Sequence, residues 1–330
     1  MGDGGLLGWA TDALVKLDDA EPGVLARVLT AAPARRQAIF AALAAQEIKA
    51  GDICQPDDLF PTSFAEVVRQ GRAMDILRQA YGDVPEGFPG LLERVGEKPL
   101  PRSRDYIALH ALAESDDAHG VDALRGSGRI TCRKLEVLAA LDPRWRHAHT
   151  LERIDSSVEA MRFNSAVEFV QSVNSKATDE VVAGAIARMS RSSSLPKLLD
   201  RFLRRADQLP PHPVAVGDNE LRPLATMRDL LEAGRKYRNC LAHRISEVAA
   251  GKMAIAEFRD ECLVEFRPLT LGAGWMLRDV HIQQNNFVPV ALVAEVEAKC
   301  DVLGIPRVEE AAGGKAWKDY RRFTRELEWG

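Results

Sequence analysis

The chain has 330 residues, is 46% apolar and 28% charged, and carries a net charge of −4. That balance excludes a disordered polymer, and without an overall basic excess any nucleic-acid contact is confined to a local patch. The length accommodates two domains, and no run approaches about eighteen uninterrupted apolar residues, so no membrane partner is expected.

Five cysteines, Cys54, Cys132, Cys240, Cys262 and Cys300, include no C-x-x-C pair. An odd count in a long chain argues against a disulfide framework or a cysteine zinc site, so reduced thiols and a cytoplasmic location are expected. Met1-Gly2-Asp3-Gly4-Gly5 shows no basic stretch leading into an apolar run, and Leu6 stands where a myristoylation motif needs Ser or Thr.

Residues 1–208 read as a succession of short helices. Segments 22–29 and 35–48 carry apolar residues at three- and four-residue steps, the stripe of an amphipathic helix. Breakers follow at Gly51-Asp52, Gln55-Pro56, Phe60-Pro61 and Pro85-Glu86-Gly87, and Thr62 or Ser63 is a candidate N-cap for a helix running to Tyr81. Further helices are predicted over 104–114, 133–141, 157–173, 179–189 and 195–206. No pattern recurs at a fixed period, so an irregular helical region is expected rather than a strict repeat, with the helices available to a protein partner.

Leu209-Pro210-Pro211-His212-Pro213 and Gly217-Asp218-Asn219 mark a boundary. Beyond it, helix is predicted over 224–249, joined near Gly234. Apolar runs 253–258 and 262–266 flank Arg259-Asp260-Glu261, a hairpin signal without the usual turn glycine. A third strand over 274–282, a helix over 289–303 and a last charged helix over 315–327 complete the chain. The expected fold is α+β and predominantly helical: an irregular helical region (1–208), a small antiparallel-sheet domain packed with helices (222–305), and a C-terminal helix (306–330).

The densest chemistry is Tyr237-Arg238-Asn239-Cys240-Leu241-Ala242-His243-Arg244. Arg238 can stabilise charge developing on a phosphate and His243 can move a proton near neutral pH, a pair suited to metal-independent RNA cleavage. Five positions on a regular helix amount to about 500° of rotation, leaving the two side chains roughly 140° apart. They converge only across a bend or across a dimer. The plain alternative is a solvated helix face whose Tyr237 and Leu241 point to the core. Cys240 and His243, three positions apart, share a helical face and so form a candidate nucleophile and base, with Asn239 alongside; a structural cysteine is the competing reading.

His281-Ile282-Gln283-Gln284-Asn285-Asn286 ends the third strand in four consecutive amides, able to read a base edge or to cap a following helix. Basic runs over 201–205 and 235–244 are candidate phosphate contacts, although such runs are usually solvated faces. Arg125-Gly126-Ser127-Gly128-Arg129 lacks the spacing and lysine of a phosphate loop, and His147 with His149 has no acidic or cysteine companion nearby, so no metal and no cofactor are implied.

Tyr237-Arg238-Asn239-Cys240-Leu241, Val248-Ala249-Ala250-Gly251-Lys252, Leu263-Val264-Glu265-Phe266, Gly274-Trp275 and His281 through Asn286 together resemble the PcfJ-like family of bacterial mobile elements. The resemblance covers residues 221–305, though Leu241-Ala242-His243 departs from the residues usual after the cysteine. It implies a cysteine-bearing helix, a glycine-containing turn, strands and an amide-rich strand end, and names no reaction. Arg238, Asn239 and His243 also resemble the short motif of HEPN ribonucleases, which implies a helical bundle active as a dimer. Three functions follow as expectations. The first is a ligand-binding, nucleic-acid-directed domain (RNA or single-stranded DNA) using Asn239, Arg244, His281, Gln283, Gln284, Asn285 and Asn286. The second is a ribonuclease using Arg238 and His243. The third is a non-catalytic helical interaction protein.

Overall fold

The computed structural model describes residues 5–52 and 62–307. The chain is predominantly helical with one four-stranded antiparallel sheet, the α+β class expected. It divides into two compact units, one of residues 1–168 and 178–199, the other of residues 169–177 and 200–330. The division thus falls inside a helix, upstream of the proline-rich stretch at 209–213. Among the described residues no helix is long and apolar enough to cross a membrane.

The first unit is built from short helices: α1 (Thr11–Ala20), α2 (Val24–Leu29), α3 (Pro33–Asp52), α4 (Thr62–Gln70), α5 (Ala73–Tyr81), α6 (Phe88–Glu93), α7 (Ser103–Glu114), α8 (Ala118–Gly126), α9 (Cys132–Ala140), α10 (Ala148–Leu151), α11 (Ser157–Val173, continuing into the second unit) and α12 (Asp179–Ala187); α13 (Leu195–Leu203) begins here and crosses over. The stripe predicted over 35–48 is corrected: every residue from Arg36 to Ala45 is buried, because alanines let α5, α6 and α7 close around α3. Its two buried polar residues, Arg36 and Gln37, find partners. Gln37 Nε2 donates to the carbonyls of Gly96 and Lys98, its Oε1 accepts from the Tyr106 hydroxyl at 2.6 Å, and Arg36 donates to the carbonyl of Ala31 at 2.8 Å. The helix also runs through Gly51-Asp52, and the expected helix to Tyr81 is two helices parted at Gly71-Arg72. Gln55-Pro56, Phe60-Pro61 and the helix expected over 315–327 lie outside the described residues.

The second unit layers helices on both faces of the sheet. Its strands are β1 (Leu221–Pro223), β2 (Ala254–Phe258), β3 (Cys262–Pro268) and β4 (Trp275–His281), in spatial order β1-β2-β3-β4. One face carries Leu221, Ala254, Ala256, Phe258, Cys262, Val264 and Phe266 against Val296 and Cys300 of α16 (Val290–Val302). The other carries Ile255 and Leu263 against Leu230, Tyr237, Ile245 and Val248 of α14 (Met227–Tyr237) and α15 (Ile245–Ala249). Both faces being covered, β2 is buried along its whole length. The proline-rich boundary is no loose linker: His212 Nε2 donates to the carbonyl of Ile255 at 2.8 Å while its Nδ1 accepts from the amide of Val214.

The β2–β3 hairpin forms without glycine because Arg259 and Asp260, the central residues of a turn closed by the Glu261 amide on the Phe258 carbonyl, both take left-handed conformations (φ 46° and 60°). Arg259 lies over the Phe258 ring and pairs with Glu220 and Glu295, and Asp260 pairs with Lys236.

Leu230, fully buried between α14 and the sheet, is the natural probe of this packing. Leu230→Ala is expected to lower unfolding stability by about 2–5 kcal/mol, read as a shifted urea midpoint with an unchanged slope.

Candidate functional site

Thr226 caps α14, its hydroxyl accepting from the Asp229 amide while Asp229 reaches back to the Thr226 amide. Met227, Leu230, Ala233, Gly234 and Tyr237 then form the buried face. The break expected near Gly234 instead falls four residues on, at Arg238, which is left-handed (φ 48°, ψ 46°) where glycine is the usual choice. Asn239 is extended, its side-chain oxygen accepts from the Leu241 amide at 3.1 Å, and Cys240–His243 is a 3-10 turn leading into α15. The single helix expected through this cluster is therefore corrected to helix, bend, 3-10 turn and helix. Tyr237 and Leu241 are buried as the core reading requires, while Arg238, Cys240 and His243 are exposed.

Beneath this segment the sheet buries two carboxylates, Glu257 on β2 and Glu265 on β3, 2% and 4% exposed. Glu257 Oε1 accepts from Lys236 Nζ at 2.6 Å and from the Tyr237 hydroxyl at 2.9 Å, and its Oε2 pairs with Arg222 of β1. Burial alone would raise its pKa, but these donors outweigh burial and hold the carboxyl down at about 2. Burial and Glu257 together push the Tyr237 phenol well above its usual value, so it remains a donor. Glu265 Oε2 accepts from Arg244 Nη1 and from His281 Nε2, both at 3.2 Å, and Oε1 accepts from Arg267 Nε at 2.7 Å. Burial again opposes ionisation, and the His281 hydrogen bond with the Arg244 and Arg267 charges prevails, so its pKa is lowered. Glu247 of α15 joins Arg244 to Arg267.

Glu265 is thus the residue that draws the two sequence clusters together. It joins the end of the first, Arg244, to the start of the second, His281. As an ionised carboxylate is acceptor only, His281 donates from Nε2 and keeps Nδ1 as acceptor. Past His281 the chain makes a 3-10 turn, Gln283–Asn285, that lies against α14. Gln284 and Asn285 are both left-handed (φ 58° and 51°), at a cost of about 1–2 kcal/mol per residue. Gln283, Gln284, Asn285 and Asn286 are all exposed, and their side chains make no hydrogen bond among the described residues.

The structure does not gather every candidate. No hydrogen bond joins Cys240 to His243, or Arg238 to His243, among the described residues, so the nucleophile-and-base pair is not formed in this conformation. The rings of His147 and His149 lie tilted at 46° with centroids 4.9 Å apart, and among the described residues no group of three or more His, Cys, Asp or Glu is placed to hold a metal ion. In the run 201–205, Arg204 pairs with Asp200.

Sequence reasoning missed Glu257, Glu265, Lys236, Arg222 and Arg267. A signal existed: in Ile255-Ala256-Glu257-Phe258 and Leu263-Val264-Glu265-Phe266 the period of two places each glutamate on the same face as Ile255 and Leu263. No family model, no curated protein and no solved structure matches the chain.

Because both carboxylates titrate lower folded than unfolded, they stabilise the fold above the usual carboxylate range. That contribution is lost as pH falls from about 4.5 towards 2, where Glu257 protonates. Glu257→Gln is expected to flatten this acid limb, and Glu265→Gln to cost about 1–3 kcal/mol at neutral pH by depriving Arg244 and His281 of their acceptor, both read by urea unfolding across pH.

Proposed function

We propose that residues 222–305 form a PcfJ-like ligand-binding domain of a bacterial mobile-element or defence protein, and that its ligand is nucleic acid. One observation carries this reading. The cations nearest the buried carboxylates, Arg222, Lys236, Arg244 and Arg267, are held by them, whereas the exposed side chains of Arg238 and His243 engage no acidic partner among the described residues. An arginine without a carboxylate offers its planar fork to a phosphate. The exposed amides of Gln283–Asn286 beside α14 add donors and acceptors of the kind that meet sugars and base edges.

The bend at Arg238 favours a second reading, a metal-independent endoribonuclease using Arg238 and His243. A regular helix would hold the two apart, and the bend removes that restriction. One experiment separates the two readings: purified protein is titrated into labelled RNA and single-stranded DNA in EDTA, by anisotropy and by gel. Binding without cleavage is the expected result, with Arg238→Ala weakening all sequences alike and reducing the salt slope by about 0.7–1. Cleavage in EDTA that His243→Ala abolishes would replace it with the ribonuclease reading. No binding at any salt concentration would end the nucleic-acid reading altogether.

A further inference from the structure

We infer that the outer face of α16 is a docking site, and that its occupant is the amphipathic segment 315–327 of the same chain. This goes beyond the nucleic-acid reading above and does not depend on it.

α16 is apolar on two sides. Val296 and Cys300 are buried against the sheet, and Leu292 packs beside them. Turned away from the sheet, Val290, Ala294, Ala298 and Val302 stand at steps of four along one ridge, and all four are exposed. Val290 keeps 76% of its surface in water and Val302 keeps 82%. A helix covered on one side carries polar residues on the other, whereas one that is apolar all round belongs in a buried layer. The ridge is also shaped for a second helix. Its central alanines allow a close approach, and its valines close the two ends.

The chain itself supplies a matching surface. In the sequence of 315–327, Ala316, Tyr320, Phe323 and Leu327 recur at steps of four, three and four, which predicts one apolar face of a helix, with Lys318, Arg321 and Arg325 opposite. This segment and α16 both have thirteen residues, about 20 Å of helix each. A helix of that length is marginal alone in water and needs a surface to form on.

The place where the chain leaves α16 favours this occupant over a separate chain. Arg307 is held to α16 by Glu297 at 3.0 Å and by Asp301 at 3.7 Å, and the Leu277 amide donates to the Pro306 carbonyl at 2.8 Å. The backbone therefore passes Arg307 alongside the C-terminal half of α16. The seven residues 308–314, Gly313-Gly314 among them, span at most about 25 Å. That reach covers either end of α16, and a connection of this length is common between packed helices. So short a tether holds the segment at an effective concentration of about a millimolar, which any second molecule must exceed.

The test follows backbone hydrogen exchange and molar mass in the full chain, for the wild type, Ala294→Ser, Ala294→Arg and Phe323→Asp. In the wild type the amides of 315–327 are expected to exchange at least about tenfold more slowly than an unstructured chain, at every protein concentration. Ala294→Arg puts bulk and charge on the ridge and should remove that protection, while Ala294→Ser should keep it. Phe323→Asp should remove it from the other side of the contact. The amides of β2 and β3 should exchange as in the wild type throughout, which separates undocking from unfolding. Should Ala294→Arg disturb those strands, Phe323→Asp decides alone. Unprotected 315–327 in the wild type, or protection that survives either disruptive variant with the strands intact, would overturn the inference. Protection of α16 and 315–327 that fades on dilution, as the mass falls from two chains to one, would give the face to a second copy and overturn it as well.

Discussion

The second unit depends on two carboxylates placed inside it. Glu257 and Glu265 sit on adjacent central strands, facing the α14–α15 layer, where an unpaired charge would cost several kcal/mol. The partners of Glu257 come from the neighbouring strand β1 and from the end of α14. Those of Glu265 come from the start of α15, from β4 and from Arg267 two residues along its own strand. The helical layer and all four strands are therefore fixed relative to one another by charge as well as by apolar packing. Register is fixed too. A slip of one residue would turn both glutamates towards the apolar face that packs Phe258 and Phe266 against Val296 and Cys300 of α16.

That arrangement sorts the basic residues of one short stretch by role. Lys236 and Arg244 belong to the architecture, since each answers a buried carboxylate. Arg238 and His243, between them in sequence, answer none among the described residues and face water. The bend at Arg238 makes the separation, because it ends α14 immediately after Tyr237 has reached Glu257 and before Arg244 reaches Glu265. Residues that look equivalent in a basic run thus divide into those that hold the fold and those open to a ligand.

Much of the framework was legible in the sequence. The strand pair at 254–258 and 262–268, the third strand at 275–281 and α11 over Ser157–Val173 follow from period and breakers alone. Less legible were features whose cause lies at a distance. The all-round burial of α3 comes from neighbours that its own stripe does not announce. β1 is only Leu221–Pro223, too short for an alternating pattern to register. The end of α14 escapes prediction because an arginine adopts the backbone that glycine usually signals. The roles of Glu257 and Glu265 were hidden for the same reason, since Arg222 lies 35 residues from Glu257 and Arg244 lies 21 from Glu265. The candidate site was legible as two clusters, whereas the carboxylate joining them looked like one polar position in an apolar strand.

The hairpin tip has a mechanical side. Arg259 reaches Glu220 before β1 and Glu295 on α16, while Asp260 reaches Lys236 on α14, so one tight turn is tethered to elements on both sides of the sheet. Such a tip works as a rivet through three layers. Because its tethers are exposed ion pairs, their grip weakens as salt screens them, whereas the buried glutamates are screened far less. The domain is accordingly fastened twice, by a salt-sensitive rivet at one end of the β2–β3 ladder and by a salt-resistant lock beneath α14 and α15. Ionic strength would therefore loosen the hairpin end first and leave the glutamate-locked strands in register.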